Sequence, residues 1–194
     1  MQERTPEAYR AALLRLQRET QRLETLAQSL ILTTRDDAAI AVNPVDIGVA
    51  AEHAAEHMQP LASARGIALT CGVATGIDVV GDADMLERAI VVLIDNALRF
   101  ARKRVDVTVD ATGDVATIVV RDDGPGFSDA ARDAATQRFW RDDPARSGSG
   151  TGLGLAIARS IAERHRGTLA LDNATVGTGA VVTLTLPAAA AATV

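Results

Sequence analysis

Three segments combine residue types suited to phosphate and metal chemistry: Asp95-Asn96-Ala97-Leu98-Arg99-Phe100, Asp122-Asp123-Gly124-Pro125-Gly126-Phe127, and Gly148-Ser149-Gly150-Thr151-Gly152-Leu153-Gly154-Leu155. In the first, an asparagine followed one helical turn later by an arginine could offer a carbonyl oxygen to Mg²⁺ and a cation to phosphate. Magnesium takes few protein ligands and completes its shell with phosphate oxygens and water. In the second, a carboxylate at a strand end precedes two glycines around a proline. Such a turn has little bulk, leaves room for a flat ring, and sets an acceptor where an exocyclic amine such as adenine's could donate. In the third, alternating glycines before a helix let backbone N–H groups approach phosphate, and the helix N-terminus adds partial positive charge. Each segment also has a plainer reading: a solvated helix face, an Asp-Gly turn, a flexible loop with a glycine-assisted helix start. The three in this order are far rarer than any one. The glycine run has no Gly-Lys-Ser/Thr of a P-loop, and no strand immediately precedes it as a dinucleotide fingerprint requires.

These segments need elements to position them. Asp82 is placed to cap a helix running to about Ala101. Its apolar stripe is Leu86, Ala89, Ile90, Leu93 and Ala97, with Val92, Asn96, Arg99 and Lys103 at helical spacing on another face. Val105–Val109 alternates valine with polar residues, the period of a half-buried strand, and Gly113-Asp114 turns into a second strand, Val115–Arg121. Residues 124–150 read as a mobile loop around a short helix, followed by a helix from about Gly152 to Arg166 and strands at Thr168–Leu171 and Ala180–Leu186. Upstream, Asn43-Pro44 is expected to open a helix to about Ala64, as cap and first helical residue, with Gly66 stopping it. Strand signals follow at Ile67–Cys71 and Ile77–Val80. Residues 1–38 read as one long helix started by Thr5-Pro6-Glu7, with Leu16, Leu23 and Leu30 recurring every seven residues, a stripe that asks for a partner helix. The predicted fold is α+β, a two-layer sandwich with helices on one face of a mixed, mostly antiparallel sheet, preceded by that long helix.

Composition narrows the function. With 20 basic and 25 acidic residues interspersed along 194, and a net charge of −5, the chain lacks the basic surface of a nucleic-acid binder. Its one cysteine, Cys71, cannot form an internal disulfide, which fits a reducing compartment. The start is charged and lacks a signal peptide's apolar centre. The longest strongly apolar stretch, Ala89–Ile94, falls far short of the ~20 residues a bilayer needs. A cytoplasmic setting is expected.

In combination the motifs resemble the catalytic, ATP-binding domain of sensor histidine kinases, in the wider group that includes gyrase, the ninety-kilodalton heat-shock chaperone and mismatch-repair ATPases. Arg88–Ala101 is similar to the family's N box, Asp122–Gly126 to its first glycine box, and Gly150–Ile157 to its second. Arg138-Phe139-Trp140-Arg141 resembles the arginine-aromatic segment between them, and Gly177-Thr178-Gly179 with Val182–Pro187 resembles the closing strand. The likeness spans roughly residues 40–187. It implies a Bergerat-type α/β sandwich with ATP between the helices and a flexible lid. It also implies that Asn96 ligates Mg²⁺, Arg99 contacts phosphate, Phe100 lies near the base and Asp122 binds the adenine amine. Gly124 and Gly126 would shape the base pocket, and Thr178 would stand near it. Gly150, Thr151, Gly152, Leu153 and Gly154 would form the phosphate cradle, with Arg138 and Arg141 reaching the γ-phosphate. Phosphoryl transfer rests on positioning and charge stabilisation, for which this inventory is sufficient.

The chain departs from the family's pattern in places. Val92 stands where hydrolytic members of the group carry a water-activating glutamate and most kinases an asparagine, so rapid ATP hydrolysis is not expected. Thr136 occupies a position usually aromatic. Aligning Arg4-Thr5-Pro6 with the family's His-Glu-Leu-Arg-Thr-Pro would put Met1 at the phospho-accepting histidine. Thr5–Asp36 instead resembles the second dimerisation helix, and the chain reads as a fragment whose acceptor helix, sensor and membrane segments lie upstream. The expected organisation is a partial dimerisation helix (1–38), a connector (39–45), the catalytic domain (46–188) and a disordered alanine-rich tail (189–194).

His53 and His57 match an inverted zinc-protease pattern literally, but exposed helix histidines are the favoured reading, and His165 reads as the structural end of the helix after the lid. The expected partners are a histidine-bearing dimerisation helix, a response regulator and, in the full-length protein, a second copy; no nucleic acid is expected, and membrane contact only through upstream segments. The rival expectation is a nucleotide-responsive interaction module, anti-sigma-like or degenerate, in which the leucine-striped helix binds a partner.

Overall fold

The alternation of apolar and polar residues along 105–120 dictates a sheet with one buried and one solvent face, and the computed structural model has it. It describes residues 43–137, 140 and 152–189. The expected long N-terminal helix, the expected connector up to residue 42 and the last five residues, 190–194, lie outside the described residues. In chain order the elements are β1 (Asn43–Asp46), α1 (Ile47–Ala64), β2 (Ala68–Val73), β3 (Asp78–Gly81), α2 (Ala83–Phe100), β4 (Arg104–Thr112), β5 (Val115–Asp122), α3 (Asp129–Ala134), α4 (Gly154–Arg164), β6 (Thr168–Asn173) and β7 (Ala180–Pro187). The five-stranded sheet has the order β2-β4-β5-β7-β6, and β1 with β3 forms a separate two-stranded sheet. Only the β2–β4 pair of the larger sheet is parallel, which requires the crossover through β3 and α2. The mixed, mostly antiparallel α+β sandwich is as the sequence predicted.

Val105, Val107 and Val109 of β4 and Ala116, Ile118 and Val120 of β5 are buried against the helices. The partners of this apolar face are Leu86, Ile90, Leu93 and Ile94 of α2, which lies between α1 and α4 and is fully buried along that stripe. Asp82 caps α2 as expected, its carboxylate accepting from the Met85 N–H at 3.0 Å. The helix ends at Phe100, because Ala101 turns to extended backbone (ψ 145°), so Lys103 lies beyond it and not on the Asn96 face.

One boundary differs from expectation. Asn43-Pro44 does not start α1; both residues pair with β3, opposite Gly81 and Val80. The cap is Asp46, whose Oδ1 accepts from the N–H groups of Gly48 (2.9 Å) and Val49 (3.2 Å) while Oδ2 accepts from Gly76 (2.9 Å). A carboxylate holding two orphan helix donors and a distant loop outcompetes Asn-Pro, and proline is tolerated in an edge strand.

His165 fixes the relation of α2 to α4. Its Nε2 accepts from the Asp82 N–H at 3.1 Å and its Nδ1 lies 2.7 Å from the Ile161 carbonyl, so a neutral ring with the proton on Nδ1 satisfies both. The antiparallel pair α2/α4 is thereby pinned at the end remote from the glycine run.

Candidate functional site

Asn96 sits half-buried on α2, and its side-chain amide has no hydrogen-bond partner among the described residues. What surrounds it is set by two glycines. One turn before it, Val92 meets the first residue of α4, since a Cβ on Gly154 would lie 3.3 Å from Val92 Cγ1. One turn after it, the carbonyl of Phe100 meets the turn that follows β5, since a Cβ on Gly124 would come within 2.5 Å of that oxygen. Four residues of helix rise about 6 Å. The sequence-predicted segments therefore converge, with Asn96 between the two glycine turns.

The turn after β5 is tightly held. Asp122 is buried, 6% exposed, and its Oδ1 accepts from the N–H of Gly124 (2.8 Å) and of Ala180 (3.3 Å). Among the described residues no donor reaches Oδ2, which leaves one carboxylate oxygen for a ligand. Burial pushes the Asp122 carboxyl above the ordinary carboxylate range, opposed by those two N–H donors and reinforced by the charge of Asp123. Asp123 shifts the other way: desolvation, the largest single influence, raises it, but the N–H groups of Lys103, Arg104 and Arg102 together outweigh that and hold it below the usual range. Gly179 (φ +134°) seats β7 against this turn so closely that a Cβ there would meet the Asp122 carbonyl.

Of the other expected site residues, Phe100 and Arg99 are exposed at the end of α2. The Arg99 Nη2 pairs with Asp95 at 2.9 Å, an exposed i,i+4 bridge of the kind worth about 0.5 kcal/mol or less, readily exchanged for a phosphate. Gly126 (φ +81°) lies in the turn after β5, and Gly152 (φ +69°) precedes α4. Leu153 is 1% exposed and anchors the start of α4 in the core. Among the described residues no side chain caps α4, leaving its first N–H groups without side-chain acceptors there. Thr178 is exposed and precedes Gly179, which packs on the Asp122 carbonyl; the N–H that reaches the Asp122 carboxylate in this segment is that of Ala180. Arg138, Phe139, Arg141, Gly150 and Thr151 lie outside the described residues. Thr136, which replaces an expected aromatic, accepts a hydrogen bond from Arg159 Nη1 at 2.9 Å, and Arg159 also holds Glu163.

Sequence reasoning missed Asp95, Asp123 and Asn173. Asp123 was visible only as the second half of an acidic doublet, and nothing local marks Asn173. His53 and His57 are both exposed on α1, and no cluster of three or more His, Cys, Asp or Glu side chains that could hold a metal occurs among the described residues. Nor, among those residues, is any helix long and apolar enough to cross a membrane.

A mixed sheet with one helix layer thus carries an asparagine between two glycine turns and a buried carboxylate at a strand end. Residues 81–190 match the histidine kinase-, DNA gyrase B-, and HSP90-like ATPase family, and the chain belongs to it. Among named relatives, the sensor protein IrlS of Burkholderia pseudomallei is 37% identical over 88% of this chain and 38% of its own length. The signal transduction histidine-protein kinase/phosphatase MprB of Mycolicibacterium smegmatis is 35% identical over 85% of this chain and 34% of its own. The chain thus spans little more than a third of these relatives. Among solved structures, a mycobacterial sensor histidine kinase MprB superposes with a TM-score of 0.67 at 29% identity, covering 76% of this chain and 97% of that one. Full-length ShkA in complex with AMPPNP gives a TM-score of 0.78 at 26% identity, covering 98% of this chain and 41% of that one.

Proposed function

We propose that this chain is the ATP-binding catalytic region of a two-component sensor histidine kinase, which transfers the γ-phosphoryl of ATP to a histidine on a dimerisation helix for relay to a response regulator. The observation that carries the reading is Asn96 held between the Asp122 turn and the start of α4. Asp122 Oδ2 would accept the adenine amine, with Gly124 and Gly126 shaping the base pocket and Phe100 at its rim. The uncapped N–H groups from Gly152 to Gly154 would receive phosphate oxygens, with Arg99, Arg138 and Arg141 as cations.

Asn96 fits a Mg²⁺–nucleotide complex, because its unpartnered amide oxygen is a hard neutral donor and magnesium takes its remaining ligands from phosphates and water. Bound there, the metal would neutralise charge on the phosphates; the residues of this chain orient them. Val92, apolar and packed toward Gly154, cannot activate a water, which favours transfer over hydrolysis. The acceptor would stand on a dimerisation helix and not on the catalytic domain, where His53 and His57 lie on α1 and His165 is buried with both ring nitrogens engaged. The full protein would work as a dimer on the cytoplasmic side of a membrane. The sensor-kinase names of the relatives favour this reading over an interaction module.

The test is transfer in trans. Incubated with γ-labelled ATP, Mg²⁺ and a longer relative that carries the dimerisation helix but has its own catalytic site disabled, this chain should place acid-labile label on that helix. Absence of both ATP binding and label would overturn the assignment.

A further inference from the structure

The base-side turn is gripped at its far end by a residue on a different strand. Asn173, the last residue of β6, is half-buried, and its amide makes two hydrogen bonds to one backbone unit: Oδ1 accepts from the Phe127 N–H at 2.6 Å and Nδ2 donates to the Phe127 carbonyl at 2.9 Å. Gly126 is folded directly onto it, since a Cβ there would lie 2.6 Å from Asn173 Oδ1. The register partner of Asn173 across the sheet is Ala180, the same residue whose N–H holds Asp122 Oδ1 at the near end of the turn. The Ala174 N–H, bonded to the Gly179 carbonyl at 3.0 Å, closes the β6–β7 connection beside them. One rung of the sheet therefore fixes both ends of the segment from Asp122 to Phe127. Between them the turn has little freedom, because Gly124 is wedged against the Phe100 carbonyl.

We propose that Asn173 is a positioning residue for base recognition: its two-point grip on Phe127 sets where the Asp122 carboxylate stands relative to the exocyclic amine. This rests on the reading of Asp122 as the base acceptor. A side chain that only stabilised the fold would affect all nucleotides alike. One that places Asp122 acts on nucleotides carrying the amine and spares those without it. Serine keeps a polar group but is too short to reach both partners, so it should be intermediate.

The experiment compares ATP with ITP, which lacks the exocyclic amine, by calorimetric titration with Mg²⁺ of the 194-residue chain and its Asn173→Ala and Asn173→Ser variants. The wild-type chain should prefer ATP. Asn173→Ala should weaken ATP binding about tenfold, the scale of lost hydrogen bonds, and ITP binding about twofold or less, with Asn173→Ser between. Equal weakening of both nucleotides, or an unchanged preference in the variants, would overturn the proposal. Should the alanine variant fail to fold, the serine variant decides by the same ratio. A wild-type chain with no preference for ATP would instead strike at the reading of Asp122 itself.

Discussion

On the Asp122 side of Asn96, backbone and side chains are bonded at nearly every step: Asp122 to Gly124 and Ala180, Asp123 to three N–H groups at the start of β4, Asn173 to Phe127. On the α4 side, no side chain among the described residues caps the helix, and Gly154 meets only the tip of Val92. The difference shows two ways of preparing for a ligand. On the proposed reading the Asp122 side is the base wall, completed by the protein before anything binds, so that little ordering cost would fall on recognition. The α4 side would be the phosphate wall, its first N–H groups left for the ligand's own oxygens.

The contrast can be broken by adding one methyl group to each wall. Gly179→Ala needs a side chain at φ +134° with its Cβ inside the Asp122 carbonyl, so the end of β5 must move. Destabilisation of about 4 kcal/mol or more is expected, read as a fall in Tm of about 10 °C. Gly154→Ala meets a movable methyl at 3.3 Å and gains helix propensity, so stability should stay within about 1 kcal/mol of wild type. Equal losses at the two sites would remove the distinction. Smaller still is Arg99→Ala. Losing an exposed ion pair should change stability by less than about 0.5 kcal/mol, yet weaken ATP binding about fivefold at low salt and less as screening rises. A salt-independent loss would argue against a phosphate role.

How far the sequence revealed this follows from the range of the interactions. Asp82 capping α2, the Gly113-Asp114 hairpin and the apolar stripe of α2 are local, set by residues a few positions apart, and all appear as expected. The convergence of the N box and both glycine turns was legible because family motifs record long-range contact. The start of α1 was not, because Asn43-Pro44 is a strand by virtue of pairing with β3 some 35 residues on, and Asp46 takes the cap. Lys103 was placed on a helix face because helical spacing carries no sign that Ala101 breaks it. The hydrogen bond to Asp122 from the main chain of Ala180 left no mark in the sequence, because any residue but proline could supply it. Asn173 grips a turn 46 residues away, a relation no window of sequence contains.

Asp122 gives the most direct test. Its folded-state affinity for a proton is raised by burial, so its contribution to stability is fully present below the unfolded carboxylate range and is lost as pH rises through the folded value. At neutral pH the ionised carboxylate is thus held at some cost. Asn in its place keeps an oxygen for the N–H groups of Gly124 and Ala180 but presents an NH₂ where the ligand amine needs an acceptor. Titration of Mg²⁺–ATP into wild type and Asp122→Asn at pH 7, with Tm measured on both, should show affinity falling about 100-fold or more while Tm does not drop. Undiminished ATP affinity in a folded Asp122→Asn chain would contradict the account.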